Sequence, residues 1–189
     1  MNKFLNIEYL RSGNEVQQSV YRILREICIF SILSDFEPIL TGTIPIEINI
    51  ESSDIDISCN AKDFKAFSNI VKSSFSCYDS FTERIDKNHY VASFEDSGFL
   101  IEIYGEPKRT TDQNAYRHML VENRILNIAG KHFREKIIGL KRQGYKTEPA
   151  FGLLLGLQNP YEDLLKLGEL EDKELQIFIS EVRDALLDK

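Results

Sequence analysis

Three carboxylates stand where strand geometry would put them to chemical use. Asp54 and Asp56 flank Ile55 in "SDIDISCN", and Glu102 sits between Ile101 and Ile103 in "FLIEIYGE". Alternate residues of a strand share a face. Ile55 and Ile57 then point into a core, and Asp54 and Asp56 point the other way, side by side. Same-face residues lie about 6.5–7 Å apart at Cα, and their side chains can lean together on two metal ions about 3.5–4 Å apart. Two like charges that close are costly unless a cation lies between them. A charged, solvated strand face is the alternative reading of the aspartates, and Glu102 alone could serve an arginine of the helical half. The matching alternation of the two runs favours a divalent site at Asp54, Asp56 and Glu102, taking Mg²⁺ or Mn²⁺. Oxygen ligands of this kind, completed by water and substrate phosphate, suit phosphoryl or nucleotidyl transfer.

Gly42-Thr43 precedes the aspartates by eleven residues. Glycine permits close backbone approach to a phosphate, and a hydroxyl or N–H can donate to it. Ser53, at the start of the strand, joins Gly42 and Thr43 as a candidate substrate contact. Two cations complete the set. Arg117, in "YRHMLVENR", carries a guanidinium fork that matches phosphate oxygens, and Lys146 stands at a helix start, where free N–H groups favour anions. His118 and Glu122 are one turn apart and could pair, with a structural role the commoner reading for such a histidine.

Composition bounds the rest. The chain has 189 residues and a net charge of −7, with 42% hydrophobic and 11% aromatic residues, enough for a packed core. The acidic balance argues against an extended nucleic-acid surface. The stretch from Lys131 to Lys146 nonetheless carries six Lys or Arg against one Glu, a local patch able to hold a small phosphorylated ligand or simply a solvated helix face. Cys28, Cys59 and Cys77 are odd in number and lack nearby His or Cys partners, so neither a disulfide framework nor a zinc site is expected. No apolar run reaches membrane-spanning length, and "MNKFLNIEYLRSGNE" lacks the apolar stretch of a secretion signal. A cytoplasmic protein with buried thiols is the resulting expectation.

The elements that must position these residues are read from periodicity. Ser12 and Glu15 form a capping-box pattern that opens a helix of about twenty residues, with Val16, Val20, Ile23, Leu24, Ile27 and Phe30 on one stripe. "PILTG" reads as a short strand and "IEINIE" as a connector or strand. Phe64, Phe67, Ile70, Val71 and Phe75 have helical spacing. Residues 89–106 form a hairpin turning at Glu95-Asp96-Ser97-Gly98. After Pro107 the pattern is helical, with Gly130 and Gly144 as helix ends, Thr147 and Asn159 as caps, and Pro160 at a first helical position. The fold class is α+β: a small mixed β-sheet with flanking helices and a C-terminal helical half. Residues 1–107 form the α/β core and 108–189 the helical half.

Gly42-Thr43, Asp54-Ile55-Asp56 and Glu102 resemble the signature of the polymerase-beta-like nucleotidyltransferase superfamily: a Gly-Ser pair, an acidic-x-acidic strand, then a third acid on a later strand. Here Thr43 stands where Ser is commoner, and the third acid is Glu rather than Asp. The stretches "LTGTIPIEI", "SDIDISC", "QNAYRHMLVENRIL" and "GYKTEPAFGLLLGL" are similar to a bacterial domain-of-unknown-function family, numbered 4269, within reach of that superfamily. The resemblance implies a nucleotidyltransferase-type sheet and metal-dependent transfer of a nucleotidyl group from a nucleoside triphosphate to an unidentified acceptor. The alternative is a catalytically inactive member of that fold that binds a nucleotide or a protein partner.

Overall fold

The computed structural model describes residues 2–187, with side chains through Val182. It is an α+β protein whose contacts divide it into two compact units, Met1–Glu47 with Ser52–Tyr116, and Ile48–Glu51 with Arg117–Lys189.

The first unit is built on one mixed five-stranded sheet. Its strands are β1 (Ile39–Thr41), β2 (Ile55–Asn60), β3 (Asp79–Ile85), β4 (Tyr90–Asp96) and β5 (Phe99–Glu106), in the spatial order β1-β2-β5-β4-β3. Strands β2 and β5 run parallel, and the other neighbours are antiparallel. Helix α3 (Phe64–Phe75) lies on the path from β2 to the β3–β4–β5 meander and supplies the length a parallel connection needs. The strand over 79–85, "DSFTERI", carries no apolar alternation, and its residues are mostly exposed. It is an edge strand held by its ladder to β4. Strands β4 and β5 form the expected hairpin, closed by Ser97 and Gly98, both at positive φ (50° and 81°).

One face of this sheet is the core. Ile55, Ile57, Ile101, Ile103, Ala92 and Phe94 are fully buried with Leu24 and Ile29 of the N-terminal helices and Phe67, Val71 and Phe75 of α3. Phe67 meets Tyr90 edge-on at 4.9 Å between centroids, and Phe75 stacks on Phe94 at 5.1 Å, geometries that aromatic quadrupoles favour. Glu83 of β3 accepts from Ser68 (2.9 Å) and Tyr90 (3.2 Å) and pairs with Lys72, so α3 is tied to the sheet edge by charge as well as by packing.

The N-terminal helix is shorter than its periodicity suggests, and it is capped elsewhere. Helix α1 spans Glu15–Glu26, and its capping box is made by Asn14 and Gln17, not by Ser12 and Glu15. The apolar stripe runs on, but Cys28 adopts a left-handed conformation (φ 54°) and separates α1 from a short α2 (Ile29–Ile32). Cys28 and Cys77 are exposed and only Cys59 is buried, which corrects the expectation of buried thiols. All three are free.

The second unit is helical. The chain enters it through α4 (Asn114–Ala129), followed by α5 (Lys131–Arg142), α6 (Thr147–Leu155), α7 (Pro160–Gly168) and α8 (Asp172–Leu187). Gly130 and Gly144 follow α4 and α5 as expected. Lys146, not Thr147, is the N-cap residue of α6. Asn159 is the N-cap of α7, but its side chain makes no capping bond; its backbone N–H donates to the Asp163 carboxylate at 2.9 Å. Arg124 of α4 closes the other end of α7, donating to the carbonyls of Gly168 (2.9 Å) and Leu170 (2.7 Å) and pairing with Asp172 (2.8 Å). The Gly168 carbonyl is one of the orphans that a helix C-terminus leaves.

Gly105 of β5 marks a close approach between the sheet and the core residues behind it. A Cβ there would lie 2.8 Å from the Ala61 Cβ and 2.9 Å from the Phe67 ring. Gly105→Ala should therefore overpack the core and cost about 1–3 kcal/mol, read as a lower denaturation midpoint with an unchanged denaturant slope.

Candidate functional site

The face of the sheet opposite the core carries the candidate residues. Ladder register runs a single polar row across four neighbouring strands: Thr41 of β1 opposes Asp56 of β2, Asp56 is level with Glu102 of β5, and Glu102 opposes Ser93 of β4. Thr82 of β3 extends the row opposite Ser93, and the two hydroxyls lie 2.9 Å apart. Residues level on adjacent strands share a face, and neighbouring strands are about 4.8 Å apart, so Asp56 and Glu102 are held side by side. Both are half-buried. The alternating Ile55, Ile57, Ile101 and Ile103 are all at 0% exposure on the other face, which prevents either strand from turning over.

Asp54 lies just ahead of β2, which begins at Ile55 rather than at Ser53. Its charge reaches Glu102 nonetheless. Burial first, and the Asp54 carboxylate second, raise the Glu102 carboxyl above its ordinary range, while Arg84 of β3 acts in the opposite direction. Arg84 was not among the residues expected at the site. It is exposed and lies level with Val91 and Tyr104, one same-face row along from Glu102. A polar edge strand without apolar alternation left no sequence signal for it.

The glycine turn closes on the same carboxylates. Gly42, directly after β1, has φ +76°, and a Cβ on it would lie 2.1 Å from Asp56 Oδ2. The Asp56 carboxylate thus rests against the bare glycine backbone, a position any larger residue would occupy. Thr43 Oγ1 donates to Ser53 Oγ at 3.3 Å, which ties the turn to the lead-in of β2. Gln17 of α1 steadies the turn from below: its Nε2 donates to the carbonyls of Ile44 (2.9 Å) and Pro45 (3.3 Å), and its Oε1 accepts from the Asn14 N–H at 3.1 Å. The connector "IPIEINIE" is neither strand nor helix at residues 44–47 but a run of turns with Ile44 and Ile46 buried.

Gly42, Thr43, Ser53, Asp54, Asp56 and Glu102 therefore belong to one unit. Arg117 and Lys146 belong to the helical unit. Arg117 faces Glu169 at 3.9 Å, rather than Glu122, and Lys146 is exposed at the start of α6. Arg142 of the basic α5 pairs with Glu51 at 2.6 Å, so part of the local positive charge is balanced inside that unit.

As the side chains stand, no three His, Cys, Asp or Glu among the described residues form a group able to hold a metal ion by themselves. The donor set still has the right chemistry for a hard divalent cation. Mg²⁺ usually takes one or two carboxylates and fills its remaining positions with water and phosphate oxygens, and Asp56 against the Gly42 cradle and Glu102 beside it supply hard oxygen donors on one face.

A family model matches residues 22–167, most of the chain. The chain belongs to DUF4269, a domain of unknown function. All the sheet-borne candidates of this DUF4269 chain lie inside the matched region, whereas α8 lies beyond it. No curated protein sequence matches it. In fold, it is similar to the structure of the GLD-2/RNP-8 complex, with a TM-score of 0.55 at 12% identity over 93% of this chain and 79% of that one. It is also similar to a cytoplasmic RNA terminal U-transferase, with a TM-score of 0.52 at 11% identity over 82% of this chain. It spans 47% of that transferase's length. The DUF4269 chain thus shares the fold of these two structures. No helix among the described residues is long and apolar enough to cross a membrane.

Two substitutions test the geometry. Gly42→Ala forces a side chain into a left-handed backbone and onto Asp56, and should cost about 1–2 kcal/mol, seen as a lower melting temperature. Glu102 has a folded-state pKa above its unfolded one, so its ionised form weakens the fold, and the stability it contributes at acid pH is lost as pH rises through that pKa. Glu102→Gln should therefore melt no lower than the parent at pH 7 and show less advantage at pH 4. A large loss at pH 7 would mark Glu102 as a structural ion-pair partner instead.

Proposed function

We propose that this protein is a metal-dependent nucleotidyltransferase that moves a nucleotidyl group from a nucleoside triphosphate to a hydroxyl-bearing acceptor. The observation that carries this reading is the level pairing of Asp56 and Glu102 beside Asp54, with Asp56 seated on the Gly42 turn. The nucleotidyltransferase-type fold supports it. Asp54, Asp56 and Glu102 would hold Mg²⁺ or Mn²⁺, which when bound neutralises triphosphate charge and lowers the pKa of a coordinated hydroxyl.

The chain's own groups have separable tasks. The Gly42-Thr43 turn, with Ser53 hydrogen-bonded to Thr43, binds the phosphates through backbone N–H and hydroxyl donors. Glu102, level with Asp56 on the polar face, takes the proton of the acceptor hydroxyl. The acceptor oxygen then bonds to the α-phosphorus, the bond from that phosphorus to the bridging oxygen breaks, and pyrophosphate leaves. Arg117 and Lys146 bind triphosphate oxygens as charge-assisted donors. The departures at Thr43 and Glu102, where the resembled signature has Ser and Asp, favour a second reading, an inactive nucleotidyltransferase fold that binds a nucleotide or a protein partner without turnover.

Isothermal titration with each of four non-hydrolysable nucleoside triphosphates, with and without Mn²⁺, separates these readings. Nucleotidyl transfer expects binding that requires Mn²⁺ and disappears in Asp56→Asn, whose metal-free stability is unchanged or higher. Arg117→Ala and Lys146→Ala should each weaken nucleotide binding by about ten- to a hundredfold, the loss of one charge-assisted contact worth about 1.5–3 kcal/mol, with Mn²⁺ binding retained. Binding that ignores both Mn²⁺ and Asp56→Asn supports the inactive reading. No binding of any of the four overturns both nucleotide readings.

A further inference from the structure

The helical unit contains a second set of ionisable groups, far less exposed than the sheet carboxylates. Glu122 of α4 is 4% exposed, and its Oε1 has no hydrogen-bond partner. One turn earlier on the same helix, His118 is 6% exposed. Its Nε2 lies 2.8 Å from the Tyr161 carbonyl oxygen on α7, and its Nδ1 lies 3.4 Å from Glu148 Oε1 on α6. Lys141 of α5, 8% exposed, acts on Glu122, and Lys146, at the start of α6, acts on Glu148. Groups from four helices therefore converge on His118 and Glu122.

The geometry of His118 fixes its charge. A carbonyl oxygen only accepts, so Nε2 must carry a proton and donate to it. A carboxylate also only accepts, so the contact with Glu148 is attractive only when Nδ1 is protonated as well. Both ring nitrogens face acceptors, which is the environment of an imidazolium. Removing the Nδ1 proton leaves a lone pair directed at a carboxylate. Glu122 has the opposite difficulty. Its unpartnered oxygen is buried, and burying an ionised carboxylate without a partner is expensive; holding a proton avoids that cost.

We propose that His118 and Glu122 form a proton-operated latch, which holds α4 to α6 and α7 while both carry their protons and loosens as both lose them. The electrostatics agree in direction. Burial foremost, then the Glu148 charge, lifts the Glu122 carboxyl to about 8, with His118 and Lys141 opposing. Burial lowers the affinity of His118 for its proton, but the bonds to Glu148 and Tyr161 and the nearby carboxylate charges together outweigh it, and the net shift is upward. Burial raises Glu148, but its bond to His118, a backbone N–H and the charges of His118 and Lys146 together outweigh this, and the net shift is downward. The ionised Glu148 is thus the fixed partner, and the other two titrate.

The sign for stability follows from linkage. Glu122 is protonated in both states below its unfolded pKa, near 4.3. Above it the unfolded chain releases the proton and the folded chain does not, so stability falls until about pH 8. The contribution of His118 is complete below its unfolded pKa, near 6.5, and is lost as pH rises through its higher folded value. Glu148 contributes above its unfolded pKa and loses that contribution in acid. The latch is therefore tightest in mild acid, above the folded pKa of Glu148, and weakens through neutrality into mild alkali.

Thermal unfolding of the full chain from pH 5 to pH 9 tests this, with hydrogen exchange of the parent protein over the same range. The parent should melt several degrees lower at pH 9 than at pH 5.5. Glu122→Gln should match it near pH 5 and exceed it at pH 8.5, and the exposed control Glu135→Gln should keep the parent slope. After correction for intrinsic exchange, protection of α4 and α6 amides should drop at least tenfold between pH 6 and pH 9, while β2, β4 and β5 amides hold. The exchange measurement stands even if a variant fails to fold. A parent profile flat from pH 5 to pH 9, an undiminished slope in Glu122→Gln, or unchanged α4 and α6 protection would each overturn the latch.

Discussion

Two carboxylates are held level on adjacent parallel strands, and the sheet leaves them no way to part. Asp56 and Glu102 are fixed by the β2–β5 register, and that register is fixed by the isoleucines that alternate with them. Slipping either strand by one residue would lift Ile55 and Ile57, or Ile101 and Ile103, out of the core and bury an acid in their place. Burial of the apolar face thus holds the acids of the polar face in place, and Asp54 adds the like charge that raises Glu102. The same region depends on a bare glycine: Gly42 is left-handed and fits because it has no side chain, with the Asp56 carboxylate in the space a Cβ would take.

The supports of this arrangement are polar and lie beneath it. Gln17 is 2% exposed and bonds both to its own helix cap and to the turn that carries Gly42. Thr110 Oγ1 donates to the Glu37 carbonyl at 2.6 Å, and Gln113 Nε2 donates to the Cys59 and Lys108 carbonyls at 2.9 and 3.0 Å, so residues just after β5 bind the chain near β1 and the backbone of β2. Each is a side chain satisfying buried backbone groups that no strand or helix reaches, a role that removal of one partner would expose at full desolvation cost.

The sheet carboxylates were legible in the sequence because their neighbours were. Ile-Asp-Ile and Ile-Glu-Ile are period-two patterns strong enough to assign both strand and face, and the β4–β5 hairpin was marked at its turn by Ser97-Gly98. The parts that were not legible are those where tertiary context overrides local pattern. The strand over 79–85 is polar and exposed, and only its pairing to β4 makes it a strand. The first helix keeps its apolar stripe past residue 27, but Cys28 turns left-handed there, and nothing in the stripe signals the break. Asn14 rather than Ser12 caps that helix because Gln17, three residues on, reciprocates. His118 and Glu122 could be seen to share a helix face; that the face is buried against Glu148 and Lys141 could not, because charged residues are rarely buried.

The two acidic sites solve the same electrostatic problem differently. On the sheet, Glu102 is half-buried and keeps access to solvent, so crowding by Asp54 can be relieved by ions that come and go, and a negative site with open access is suited to exchanging ligands. In the helical unit, Glu122 is sealed from solvent, no cation can enter, and the only particle small enough to relieve the charge is a proton. Depth of burial therefore decides which charge carrier each cluster answers to. That distinction follows from the sheet presenting its acids on a face open to solvent, whereas His118 and Glu122 lie on the buried side of α4.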